Sequence, residues 1–190
     1  MKLKFSSIEK IDIIKAWFAI SLAFAILNTR TISTLFVNFL IALFTVGIGF
    51  LIHEVAHKYL AQKYKCFAEF RADNKMLVIA IISSFFGFLF AAPGGVIING
   101  LIDKRKYALI AGAGPLMNII ISFVFLGLSL SSVEFIKTIS SFGFSINSWL
   151  ALFNLIPFFP FDGAKVVKGN KTLYFSLLII SFFLVFSSFI

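Results

Sequence analysis

The sequence predicts an all-α polytopic membrane protein: one domain over residues 1–190, about five to six transmembrane helices, and a re-entrant or β-type membrane-associated segment near 76–98. Three observations lead there. Sixty per cent of the 190 residues are hydrophobic, Phe alone accounts for 27, only 13% are charged, and mean hydropathy is +1.02. A soluble domain carries roughly 25% charged and about 45–50% apolar residues, and 190 residues cannot hide such an excess in a core. Next, the apolar residues are gathered into runs close to the roughly 20 residues that cross a bilayer. Finally, the basic residues that make the net charge +9 lie in short clusters between those runs. That is how loops of a membrane protein are marked, not how a nucleic-acid surface is built, so no nucleic-acid partner is expected. The single Cys66 excludes an internal disulfide framework and a thiolate-rich zinc cluster. The apolar run after Lys15 lacks the cleavage pattern of a secretory leader.

The runs follow in order. Ile13–Leu27 is short for a span, and Ile32–Ile52 continues to His57 as the second. The polar segment Lys58–Lys75 is expected to lie on anionic headgroups, where each basic residue contributes about 1 kcal/mol. Met76–Ile98 is long enough to cross but is interrupted by Pro93-Gly94-Gly95. Proline removes a backbone donor and glycine weakens a helix, so this segment is expected to bend or re-enter. Three further spans are expected over residues 107–130, 146–163 and 172–190.

Charge then orients the chain. With a cytoplasmic N-terminus and a re-entrant 76–98, 15 of the 17 basic residues fall inside, leaving Arg30 and Lys137 outside. The positive-inside rule predicts this bias. A full crossing by 76–98 would move Lys104-Arg105-Lys106 outside and weaken it. The expectation is a multi-pass protein of the cell membrane with the lipid bilayer as its environment.

The chemistry-bearing motif is His53-Glu54-Val-Ala-His57 at the inner end of the second span. Residues i and i+4 share a helix face, so both imidazoles can point at one ion, and Glu54 can reach a water on that ion without ligating it. The chain has only two His, and chance would place them around a Glu in this pattern roughly 2 times in 10,000. The alternative is a histidine pair satisfied by neighbouring helices; ionisable groups at membrane depth are usually functional. Zinc ordinarily takes three protein ligands plus water in a catalytic site. With no third His and no second Cys, a carboxylate must complete the set. Glu9, Asp12, Glu69, Asp73 and Asp103 sit among Lys and Arg in segments expected to be solvated, and Glu134 lies on the outer side. Asp162, at the end of the apolar run Asn154-Leu-Ile-Pro157-Phe-Phe-Pro160-Phe-Asp162-Gly163, is the remaining candidate. Its topology agrees: His57 precedes Lys58 and Asp162 precedes Lys165, each at a cytoplasmic helix end. A helix cap or an interfacial partner for Lys165 is the alternative role.

These residues resemble the site-2 proteases, a family of intramembrane zinc metalloproteases. The resemblance rests on His53-Glu54-Val-Ala-His57, on Asn154 through Asp162-Gly163, and on Ala111-Gly-Ala-Gly-Pro115-Leu-Met-Asn118, which is similar to the family's Gly-Pro-x-x-Asn helix start. It covers about Gly47 to Ala164. It implies one Zn²⁺ per chain held by His53, His57 and Asp162, Glu54 as the acid/base that activates water, and Asn154 as a donor to the substrate carbonyl. It further implies transmembrane protein substrates, a substrate-engaging role for the segment around Pro93, Gly94 and Gly95, and a place for Asn118 near the substrate. Asn118 as polar glue between helices is the alternative, and Gly112, Gly114, Gly47 and Gly49 read as close-packing positions. A membrane core without the PDZ or CBS domain of many members is expected. Two other classes compete: a catalytically silent homologue that binds membrane proteins, for which Glu54 would be superfluous, and a metal-containing transporter, which would spread its charges along a pathway. A zinc protease with a Glu ligand would have to recruit Glu134.

Overall fold

A computed structural model describes residues 3–89 and 93–189. Helix α1 spans Ser7–Leu27. Its start is dictated by a capping box: Ser6 accepts from the Glu9 amide and Glu9 returns the bond to the Ser6 amide. After a 3₁₀ turn at Ile32–Thr34, α2 (Leu35–Ala42) runs through a wider π turn at Leu43–Gly47 into α3 (Ile48–Lys63). The Trp17 indole donates to the Leu43 carbonyl at 3.1 Å within that turn. Strand β1 (Phe67–Ala72), helix α4 (Asn74–Ser84) and strand β2 (Gly94–Asn99) follow. The long α5 (Lys104–Leu128) packs against α3 on one side and α6 (Glu134–Asn154) on the other. Asp103 opens α5 by accepting from the Lys106 amide at 2.7 Å, and that bond holds its carboxyl below the usual range. A short α7 (Gly163–Gly169) and α8 (Lys171–Ser187) close the chain. Two helical stretches, Ile32–Lys63 and Lys104–Leu128, are long and apolar enough to cross a membrane.

The chain is mostly helical, and its two-stranded antiparallel sheet departs from an all-α chain where a β-type segment is one of the two expectations, with β2 at Gly94–Asn99. Phe67 lies opposite Asn99 and Ala72 opposite Gly94. Gly94 has φ +132, a conformation side chains rarely adopt, and a Cβ there would overlap the Arg71 carbonyl. Of the expected 76–98 segment, the first part is α4, the last part is β2, and residues 90–92 lie outside the described residues.

The strand partner of β2 comes from a segment read as surface polar chain. Within Lys58–Lys75, Phe70 is buried in β1 and Lys58 is only 2% exposed. The reason is Glu9, also misassigned to a solvated segment and fully buried. The Lys58 ammonium donates to both Glu9 oxygens at 2.7 Å and to the Ala68 carbonyl at 2.9 Å. The Phe70 amide donates to Glu9 at 2.9 Å, and the Phe5 ring lies 4.6 Å beneath the ammonium. Buried charges persist only when paired and hydrogen-bonded in this way. Glu69, likewise buried, takes the Ser6 hydroxyl and the Arg71 guanidinium.

Two helix boundaries also shift. Pro115 sits inside α5 rather than at a helix start. Helix α6 starts at Glu134, well before 146, and stops at Asn154, ahead of Pro157 and Pro160. Residues preceding proline are pushed from helical to extended backbone, so 155–162 forms an irregular turn that leads the chain back under α3. Glu134 and Asn154 stand at opposite ends of α6, about 30 Å apart at 1.5 Å per residue. Glu134 is therefore no candidate for a site at the α6 C-terminus.

Candidate metal centre

Helix α3 presents His53 and His57 on one face, their Nε2 atoms 3.0 Å apart. The turn after α6 delivers Asp162, whose Oδ2 lies 3.0 Å from His57 Nε2 and 3.3 Å from His53 Nε2. All three side chains are buried. Among the described residues they are the one group whose ligand-type atoms converge, all within 4.8 Å of one another. Asp162 occupies the N-cap position of α7 yet makes no side-chain cap. An Asp there normally accepts a backbone N–H; this one lies against the two histidines and also pairs with Lys165.

The other ring nitrogens determine what the cluster can do. His57 Nδ1 lies 2.7 Å from the Ile110 carbonyl, a pure acceptor, so Nδ1 carries the proton. His53 Nδ1 lies 2.6 Å from Asn118 Oδ1. The amide orientation of Asn118 follows from its other end, where Nδ2 donates to Gly49 O at 3.3 Å and Asn147 Oδ1 at 3.0 Å. Asn147 is fixed in turn by donating to Gly143 O at 2.9 Å. Both imidazoles thus carry Nδ1–H, which leaves Nε2 as the ring atom that each can offer to a metal ion, beside a carboxylate oxygen. At such spacing a shared proton or a metal ion can hold the three atoms together. Tetrahedral zinc with ligands at about 2.0–2.1 Å has ligand–ligand edges of roughly 3.3 Å, close to the spacing seen. The residues fit the metal.

Glu54, one residue along α3, has a buried Oε2 without a hydrogen-bond partner. It opens into a cavity of about 670 Å³ that also holds His53, His57, Asp162, Asn154 and Lys165. Gly114 of α5 runs directly past the histidines: a Cβ there would come within 2.5 Å of His53 Nε2 and overlap His57 Nε2. This is the close-packing position expected for it, here admitting α5 against the two imidazoles. Gly49 likewise serves close approach, admitting Asn147 against α3. Asn118 lies against His53, fully buried. The Asn154 side chain reaches the cavity while donating to its own helix at Leu150 O, 2.9 Å. Pro93, Gly94 and Gly95 line the same cavity from the β2 side. Asn147 went unseen in the sequence, being one of several polar residues along α6, and its i, i+4 glycine partner Gly143 carries no distinctive signal.

The His-His-Asp group, with Glu54 beside it on α3, is one that could hold a metal ion. The chain belongs to a family of zinc metalloproteases. It is 38% identical over 175 residues to the protein of Methanocaldococcus jannaschii named "Putative zinc metalloprotease MJ0611", covering 90% of this chain and 89% of that one. It is 30% identical over 128 residues to "Zinc metalloprotease MJ0392" of the same organism, which covers 64% of this chain but only 32% of that longer protein. No family model matches the chain, and no solved structure matches it.

Proposed function

We propose that this protein is an intramembrane zinc metalloprotease of the site-2 protease kind, hydrolysing peptide bonds within or beside transmembrane segments of membrane-protein substrates. The observation that carries the reading is the convergence of His53, His57 and Asp162 in the wall of a cavity that Glu54 also lines. Zinc held by those three side chains, one ion per chain, would acidify water and polarise the scissile carbonyl. Glu54 takes a proton from water and returns it to the departing amine. Asn154 has two amide N–H donors, one engaged by Leu150 O; the second is available to the oxygen on which charge develops. Among the described residues strand β2 pairs with β1 alone. Its Gly94–Gly95 end, beside the cavity, accepts an unwound substrate as an added strand.

Membrane residence is supported by apolar faces that nothing in the chain covers: Phe36 and Phe44 on the α2–α3 stretch, Phe123 on α5, and Phe182, Phe183 and Phe186 on α8 are all more than half exposed. Patches this large on a soluble monomer would be an aggregation hazard. The distribution of basic residues supports a multi-pass cell-membrane protein with the N-terminus and the site toward the cytoplasm.

The test is cleavage of a single-span substrate protein by purified enzyme in vesicles, with zinc counted per chain. One zinc in wild type, lost from His57→Ala and Asp162→Ala together with cleavage, is expected. A zinc content indifferent to Asp162 would break the ligand assignment; cleavage confined to water-soluble peptides would remove the intramembrane assignment. A separate prediction concerns the Asn118 bond. Asn118→Ala frees the His53 ring and lowers zinc affinity about 10–100-fold, as read by competition with a chromophoric chelator; wild-type affinity would show the bond to be idle.

A further inference from the structure

We propose that Lys165 is a positioning residue for the metal centre: its ammonium occupies one oxygen of Asp162, so that the carboxylate presents a single oxygen to the metal. This rests on the metalloprotease reading above. Asp162 has two chemically equivalent oxygens, and the structure treats them differently. Oδ1 receives the Lys165 ammonium at 2.9 Å, whereas Oδ2 lies 3.0 Å from His57 Nε2 and 3.3 Å from His53 Nε2. Because Asp162 makes no helix cap, no backbone amide competes for either oxygen, and without Lys165 both would be free to turn toward the ion.

Local structure sets the arrangement. The Asp162 carbonyl accepts from the Lys165 amide at 2.9 Å, closing the first turn of α7. That turn places the lysine within reach of the carboxylate. The carboxylate is one-tenth exposed and the lysine side chain about one-third exposed, so the ammonium stands at the cavity wall. A carboxylate engaged through both oxygens would occupy two coordination positions. Kept to one, it leaves the fourth position of a three-ligand site for water. The ammonium also offsets part of the negative charge of Asp162 and Glu54 in a confined space.

Cobalt replaces zinc as a spectroscopic probe in the full-length protein in detergent. Four-coordinate cobalt absorbs strongly in the visible and five-coordinate cobalt weakly. Wild type loaded with one cobalt per chain is expected to show the strong band. Lys165→Met, which keeps the stem and loses the charge, is expected to show the weak one and a zinc dissociation constant raised about 10–100-fold. Lys165→Arg, able to reach the same oxygen, should recover most of both. Lys165→Gln guards against an effect peculiar to Met, and cobalt uptake at one per chain shows that each variant keeps the site. A Lys165→Met protein with wild-type spectrum and zinc affinity overturns the inference, even if its turnover falls, because the lysine would then act on substrate. A wild-type chain that takes up no cobalt and no zinc overturns the metalloprotease reading itself. Wild-type uptake with indifferent variants leaves that reading standing and removes only the role of Lys165.

Discussion

Glu54→Gln is expected to reduce peptide-bond hydrolysis by roughly 10²–10⁴-fold while the protein keeps its zinc, because glutamine matches the shape of glutamate but cannot accept a proton at neutral pH. The structure makes this substitution unusually clean. Glu54 is not in the converging ligand group, and its buried Oε2 has no hydrogen-bond partner to lose. Folding and metal content should therefore be untouched. Cleavage assays on wild type and variant, normalised to zinc per chain, decide the matter. Equal turnover would show that the chain does not hydrolyse through this site and would favour a silent homologue that binds membrane proteins. Loss of zinc in the variant would instead make Glu54 a ligand.

Lys58→Met is expected to be the most destabilising single change outside the metal centre. It leaves the fully buried Glu9 carboxylate facing the Phe70 amide without its counter-charge. Removing one partner of a buried pair typically costs about 3–5 kcal/mol, which for a chain of this length lowers the melting midpoint by roughly 10 °C. Glu9→Leu combined with Lys58→Met removes both charges and should regain much of the loss, since an apolar pair of similar volume avoids the uncompensated charge. Thermal melts in mild detergent test the pattern. A single variant as stable as wild type would mean that Glu9 finds water or another cation. The pair also ties α1 and β1 to the helix that carries the histidines, since Lys58 directly follows His57.

Spacing along one helix made His53, Glu54 and His57 legible in the sequence, because i and i+4 share a face whatever surrounds the helix. Elimination among eight acidic residues pointed to Asp162, and the structure brings it to the two Nε2 atoms. Composition predicted a helical chain with large apolar faces. Each of these signals is local or summed over the whole chain, so no knowledge of distant contacts was needed.

The rest depended on partners far apart in sequence. Glu9 and Lys58 are 49 residues apart and each looked like an ordinary surface charge; only their meeting makes burial tolerable. Asn118 reaches His53 across 65 residues, and Asn147 completes that relay from a third helix. Strand β1 was hidden because Phe67–Ala72 alternates Glu69 and Arg71 with Phe70, a pattern that becomes a strand once β2 and α1 cover it. Gly114 looked like any small residue until α5 lay against the two imidazoles. Local chemistry chose the ligands. The fold decided which of their nitrogens and oxygens face the ion, because that choice is made by hydrogen bonds and close approaches that form only when distant segments pack.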